Sequence, residues 1–361
     1  MRQRKAEIIC DLQFGSTGKG LFAGYRAELR APDVVVHAFG VNSGHTYVDR
    51  GGRRFVHCML PNGVVSPNLE KVLVGPGAQV NLDLLLKEAV ECADLLRAVG
   101  AVVLVHPNAA MIQDRHVQEE AGPMTRIGST KKGCGAALVE KVRRNPESKI
   151  VAEHFKNAVG VLAEEYGVPV RVCTQVEYEQ ALEKAHRVQV EGAQGYSLGI
   201  NSGFYPYCTS RECTPAQVAS DTLLPLSFVG SVVGCARTYP IRVANRYDED
   251  GNLVGWSGPG YPGQRETSFE ALGQNTEYTT VTKLPRRVFE FSTEQTYRAL
   301  RTVRPDQVFL NFAQYDTPED LQAKLHVFDG VAGALDCGSV THLGVGPTFD
   351  DVCEREELGY A

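Results

Sequence analysis

Residues 6–12, AEIICDL, form a short apolar run that empties into QFGSTGKG, and this order predicts a strand handing over through a glycine-rich turn to a helix. Such an opening belongs to an α/β fold. A second apolar segment, Val34 to Phe39, runs into GVNSGHT, so glycine and polar residues again stand where a strand would stop. Loops at strand ends are where α/β folds bind ligands.

The pattern continues down the chain. EKVLVG at 70–75 and AVVLVH at 101–106 read as strands, separated by NLDLLLKEAVECADLLRAVG, whose apolar positions recur at helical spacing with Asn81 and Asp83 near its start. Helical patterns near 150–166 and 177–186 alternate with strand-like runs at 168–173 and 187–191. Residues 245–267 are dense in Gly, Pro and charge, which predicts a long loop or insertion. With no repeat period, low-complexity tract or linker, the expectation is one α/β domain over residues 1–361, a mostly parallel central sheet flanked by helices with elaborated loops.

Composition excludes several classes. Of 361 residues 43% are hydrophobic, ample for a large core. Lys and Arg number 37 against 43 Asp and Glu, a net charge of −6, so no global basic field exists to hold nucleic acid or an anionic membrane. No run of 18 apolar residues and no apolar stretch behind MRQRKAEIIC is present, which predicts neither membrane span nor export. Ten cysteines stand without a C-x-x-C pair. They read as reduced thiols in a cytoplasmic protein rather than a zinc or disulfide framework.

GSTGKG at 15–20 suits a backbone that passes close to phosphate, with Lys19 adding a full charge beside a helix N-terminus. It is not a Walker A loop, because Gly20 follows the lysine and the spacing between glycines is wrong. On these residues alone a plain glycine turn with a solvated lysine remains equally open. His45, in NSGHT, is flanked by residues that favour a loop over the core; it could donate a proton or be an ordinary hydrogen-bonded histidine. Gln194, after HRVQVEG in a Gly-Ala-Gln-Gly context, could read a base edge or phosphate, or simply close a turn. Arg286 and Arg287 could form a fork for a carboxylate or phosphate, or be a solvated pair.

Taken in order, the segments resemble adenylosuccinate synthetases. GSTGKG matches that family's Gly-Asp-Glu-Gly-Lys-Gly, NSGHT at 42–46 its Asn-Ala-Gly-His-Thr, and HCMLPNG at 57–63 its His-Leu-Leu-Pro-Ser-Gly. IGSTKKGCG, EGAQG, YPYCTS, TVTKLPRR and LGVGP at 343–347 continue the match to about residue 350. The resemblance implies a fold related to P-loop NTPases and a two-step ligation with Mg²⁺. A nucleoside triphosphate phosphorylates O6 of a 6-oxopurine monophosphate, and aspartate then displaces the phosphate at C6. By the same resemblance Ser16, Lys19, His45 and Gln194 are the catalytic candidates, with His45 the general acid at O6. Phosphate contacts fall to Gly15, Ser16, Thr17, Gly18, Lys19, Gly20, Gly44, His45 and Thr46, joined by Gly344, Gly346 and Pro347. The purine monophosphate falls to Ser16, Asn42, Ser129, Thr130, Gln194 and Thr209, with Arg144 contributed by the partner of a homodimer. Aspartate falls to Thr280, Val281, Thr282 and Arg286, and the metal to Ser16 and the Gly44 carbonyl.

The departures matter as much. The family's catalytic aspartate, the base at purine N1, is Ser16 here, and a hydroxyl is a poor base near pH 7. Serine leaves room beside N1 and C2 and can accept a hydrogen bond from an exocyclic 2-amino group. This resembles a phage branch of the family that joins dGMP to L-aspartate on the route to 2-aminoadenine DNA. The family's guanine-reading Thr-Lys-Leu-Asp is replaced by FLNFAQYD at 309–316, which implies ATP or dATP as the donor. Leu284 and SLGIN after GAQG also depart from the family pattern. The alternatives are a conventional enzyme acting on IMP with GTP, and a purine-nucleotide-binding regulator without chemistry.

Overall fold

A computed structural model describes residues 4–144, 167, 169–279 and 283–360. Its centre is a ten-stranded sheet built from β1 (Ala6–Asp11), β2 (Val34–His37), β3 (Lys71–Val74), β4 (Val102–Val105), β5 (Val170–Val172), β6 (Val188–Glu191), β7 (Val229–Arg237), β8 (Gln307–Asn311), β9 (Val340–Gly344) and β10 (Val352–Glu354). The spatial order is β10-β9-β8-β7-β1-β6-β2-β3-β4-β5. Every pair is parallel except β9 with β10, which runs antiparallel at the edge. Strands β2 and β6 are buried on both faces, as expected of parallel strands covered on each side, and β2 accordingly reads as an apolar run rather than an alternating one.

Three packed clusters hold the sheet. On one face α1 (Lys19–Arg30) presses Phe22 and Tyr25 toward Val35, Val72 and Val103. A second cluster joins Ile8, Val34, Val36 and Leu73 to Tyr178 and Leu182 of the helix Gln175–Lys184. The third packs Leu310 and Leu343 against Leu300, Leu325 and Phe328. Strand β1 lies where the chain departs to both sides, toward β6 and β2 one way and β7 and β8 the other. Parallel strands point the same way, so Asp11, His37, Glu191, Arg237 and Asn311 all end at one edge.

The strands expected at 70–75, 101–106, 168–173 and 187–191 are β3, β4, β5 and β6. The single helix expected between the first two is instead α2 (Leu82–Glu91) and α3 (Ala93–Val99), hinged at Cys92 with φ −103 and ψ 7. The apolar period runs on through the hinge, so spacing carries no sign of it. Residues 245–267 are not all loop: Arg246–Tyr247 pairs with Leu253–Gly255, and Glu266–Thr267 joins a small antiparallel sheet with Ile241–Arg242 and Arg287–Phe289. The helical pattern at 150–166 falls outside the described residues. Among the described residues no helix is long and apolar enough to cross a membrane.

Glu88 of α2 fixes the segment behind the glycine-rich turn. Its buried carboxylate accepts hydrogen bonds from the amides of Cys58 (2.7 Å), Met59 (2.8 Å) and Leu60 (2.8 Å). Burial pushes this carboxyl up to about 7 against the pull of those three amides. Glu88→Ala strands three donors at once and is expected to lower unfolding free energy by about 3 kcal/mol. Urea unfolding checks this; a change below about 1 kcal/mol would mean that water replaces the carboxylate without loss.

Candidate active site

The glycine-rich turn folds around a carboxylate. Asp11, the last residue of β1, accepts hydrogen bonds from the amides of Gln13 (2.8 Å) and Gly15 (3.3 Å) on one oxygen and from the Thr17 hydroxyl (2.6 Å) on the other. Burial raises the Asp11 pKa, and Lys19 and the hydrogen bonds oppose it. Gly18 has φ +84, and a Cβ there would lie 1.9 Å from Asn311 Nδ2. A Cβ on Gly344 would lie 2.1 Å from Asn311 Oδ1. The Asn311 amide therefore sits between the turn and the 343–347 loop, drawing both to one place. Helix α1 starts at Lys19 with no side chain capping its N-terminus, leaving first-turn amides for an anion.

His45 is not on an open loop. It begins the strand His45–Val48, paired with Arg54–His57, and is 2% exposed. Its Nδ1 meets Glu191 Oε1, its Nε2 lies 3.2 Å from Ser43 Oγ, and its ring stacks on Phe39 at 4.5 Å. Burial and the nearby Lys19 lower the imidazole pKa, while Glu191 works the other way. The second Glu191 oxygen accepts the Asn62 amide at 2.8 Å.

One cleft gathers Gly15, Ser16, Lys19, Asn42, Gly44, His45, Thr130, Gln194 and Arg286, with Phe14, Ser43, Gly128, Leu198, Val243, Ala244, Arg246 and Thr279 completing the wall. Gln194, in a left-handed conformation at φ +49, donates to Asn42 Oδ1 at 3.0 Å. Arg286 Nη1 donates to Ser16 Oγ at 2.5 Å. Arg237 Nη1 donates to the Ser16 carbonyl at 3.3 Å, so two arginines hold this residue. Arg237 is fully buried, pairs with Glu277 and lies 3.8 Å over the Phe312 ring. Burial would raise Glu277, but Arg237 and Arg286 outweigh it and hold its carboxyl below the usual range. Burial lowers the Arg286 guanidinium to about 10.

The two arginines expected to share a fork part company. Arg287 turns away to grip Glu266 with two nitrogens at 2.8 and 2.6 Å and donates to the Gly258 carbonyl at 2.7 Å. Only Arg286 reaches the cleft. Several other predicted contacts stand outside its wall: Thr17 serves Asp11, and Ser129 Oγ accepts the Lys131 amide. Thr209 lies one layer back, its amide on the Leu198 carbonyl at 2.8 Å. Gly18, Gly20, Thr46, Gly344, Gly346 and Pro347 are likewise not on the wall. Arg144 ends the helix Cys134–Arg143 and does not reach the cleft of its own chain. Thr280, Val281 and Thr282 lie outside the described residues. Sequence reasoning assigned no role to Asp11, Glu191, Arg237, Arg246 or Glu277. Asp11, Glu191 and Arg237 share one signal, a charged residue closing an apolar strand.

The adenylosuccinate synthetase family profile matches residues 8–164 and 152–317. An N6-succino-2-amino-2′-deoxyadenylate synthase of Salmonella phage PMBT28 is 54% identical over 362 residues, covering 97% of each chain. Its counterpart in Acinetobacter phage SH-Ab 15497 is 53% identical over 360 residues, covering 95% of this chain and 92% of that one. The solved structure of the cyanophage S-2L succinoaminodeoxyadenylate synthetase, bound to dGMP and dATP as an energy donor, superposes with a TM-score of 0.86 at 41% identity, covering 99% of both chains. A mostly parallel sheet with a glycine-rich turn, a buried histidine and a Gly-Ala-Gln-Gly loop on one cleft, together with these matches over nearly the whole chain, places the protein in the adenylosuccinate synthetase family.

Proposed function

We propose that this chain ligates L-aspartate to C6 of dGMP with ATP or dATP as phosphate donor, giving N6-succino-2-amino-2′-deoxyadenylate for 2-aminoadenine DNA. The observation that carries the reading is Ser16, which faces the cleft on the arm of Arg286 where the family places a carboxylate. The hydroxyl leaves room at the purine C2 edge and offers a lone pair to a 2-amino group. The two phage relatives, and the cyanophage structure that holds dGMP and dATP, support the same substrates.

In the first step the purine gives up its N1 proton to solvent, O6 attacks the γ-phosphorus and the P–O bond to the nucleoside diphosphate breaks. In the second, the neutral aspartate amine forms the C6–N bond, phosphate departs with O6, and the extra amine proton passes to solvent. Lys19 and the first-turn amides of α1 hold the triphosphate, and His45 Nε2 gives a hydrogen bond to O6 as charge builds there. Asn42, Thr130 and Gln194 hold the nucleotide, and Ser129 and Thr209 support that wall. Arg286 receives an aspartate carboxylate, with Thr280, Val281 and Thr282 completing that subsite.

Ser16 Oγ and the Gly44 carbonyl are hard oxygen donors on the cleft wall, which fits Mg²⁺ coordinated mainly by phosphate oxygens and water. Among the described residues no cluster of three His, Cys, Asp or Glu side chains could hold a metal. When bound, the ion neutralises charge on the phosphates. By the family resemblance the chain forms a homodimer in which each chain lends Arg144 to the other. Ten free cysteines support residence in a reducing cytoplasm. The chain acts as a single α/β domain in this reading.

Steady-state turnover with aspartate, comparing dGMP and IMP with ATP, dATP or GTP, tests the proposal. Turnover of dGMP with ATP or dATP is the expected result. Strong turnover of IMP with GTP and none of dGMP would overturn it.

A further inference from the structure

We infer that Glu191 is a positioning residue for the reaction, holding a proton on His45 Nδ1 and thereby presenting His45 Nε2 to the cleft. The inference deepens the proposed ligation and depends on it for its kinetic readout.

Three histidines crowd the carboxyl ends of the strands behind the cleft, and only one of them meets a carboxylate. His37 ends β2 directly opposite Glu191 in the sheet register, yet among the described residues its ring meets the Met59 backbone and no carboxylate. His57 lies opposite His45 in the antiparallel pair, and its Nε2 faces Cys92 Sγ at 3.4 Å. Burial takes His37 down to about 3 and His57 to about 4, so both stay neutral near pH 7. Glu191 thus selects a single ring.

The selection is rigid because every part of the pair is fixed. Both side chains are 1% exposed. Glu191 closes β6, a strand hydrogen-bonded on both sides by β1 and β2, so its backbone cannot swing. One carboxylate oxygen takes Nδ1 and the other takes the Asn62 amide at 2.8 Å. The Asn62 side chain in turn donates to the Gly20 carbonyl in α1 at 3.2 Å, which ties the pair to the helix that carries Lys19. Phe39 covers one face of the imidazole and blocks a ring flip. With Nδ1 committed to Glu191, Nε2 faces Ser43 and the cleft, and it donates to O6 when the ring carries a second proton there, an imidazolium that the Glu191 carboxylate favours.

A carboxylate presents an acceptor oxygen at each end, one for Nδ1 and one for the Asn62 amide, whereas a side-chain amide presents one oxygen and one N–H₂. The amide of Glu191→Gln accepts from either Nδ1–H or the Asn62 N–H and must set its own N–H₂ against the other. The proton on Nδ1 is then no longer fixed. Glu191→Asp keeps both acceptors but draws them back by one methylene.

Three measurements on the full chain test the inference. In ¹⁵N-histidine NMR of the unsubstituted protein at pH 7, the His45 resonance is expected to show a protonated Nδ1; an unprotonated Nδ1 overturns the inference and does not depend on any variant folding. Glu191→Gln is expected to lower kcat by about 100-fold with KM for dGMP within about threefold. A kcat within about threefold of the parent, or a loss confined to KM, overturns it. Glu191→Asp is expected to recover at least about tenfold of the lost kcat, and no recovery sinks the idea. If the unsubstituted chain does not turn over dGMP, the proposed ligation fails, whereas the NMR result still decides the Glu191–His45 pairing by itself.

Discussion

Ser16→Asp is expected to lower kcat/KM for dGMP by about 100-fold, equivalent to about 2.7 kcal/mol of transition-state binding. The backbone at this position has φ +57, a conformation that aspartate adopts more readily than most residues, so the turn survives the change. The chemistry does not. Arg286 already donates to Ser16 Oγ at 2.5 Å, and a carboxylate there would take the guanidinium in a two-pronged pair. In the proposed reaction that pairing takes Arg286 away from L-aspartate, while the added bulk presses on the purine C2 edge. Two readouts separate the causes: capture of Arg286 raises KM for aspartate, and crowding raises KM for dGMP. Retention of dGMP turnover within about threefold would show that the residue at position 16 does not decide the nucleobase.

His45→Gln is expected to reduce kcat by about 1,000-fold, the middle of the range for loss of a general acid. Glutamine can still reach Glu191 through its amide N–H₂, so the buried carboxylate keeps a donor and the fold is not charged with an orphan ion. Binding of dGMP, measured by calorimetry, is expected to stay within about fivefold, because the contact with O6 strengthens mainly as charge develops in the transition state. A kcat loss of less than about tenfold would remove His45 from the chemistry.

The parts of the fold that the chain announces are those with local causes. The strands feeding 15–20 and 42–46 are continuous apolar runs ended by glycine, and they are where the pattern placed them. The hinge at Cys92 left no mark, because both helices bury the same apolar stripe. His45 read as a loop residue because its neighbours are Asn, Ser, Gly and Thr; its burial comes from Glu191, which lies 146 positions away. The same distance problem hid Arg237, whose partner Glu277 comes 40 residues later. Arg286 and Arg287 looked alike as a pair, but Arg287 opens a strand of the small antiparallel sheet, where Glu266 captures it, while Arg286 stands just before that strand and turns into the cleft. Asp11, Glu191 and Arg237 were visible as charges closing apolar runs. Only the parallel sheet shows that these three ends share one edge.

The wedging of Asn311 between Gly18 and Gly344 joins three stretches far apart in the sequence: the glycine-rich turn, the end of β8 and the end of β9. The turn and the 343–347 loop therefore reach their final spacing only once β8 and β9 have both joined the sheet beside β7. Mutational drift at position 311 must also suit two backbones at once, which leaves that amide little freedom to change.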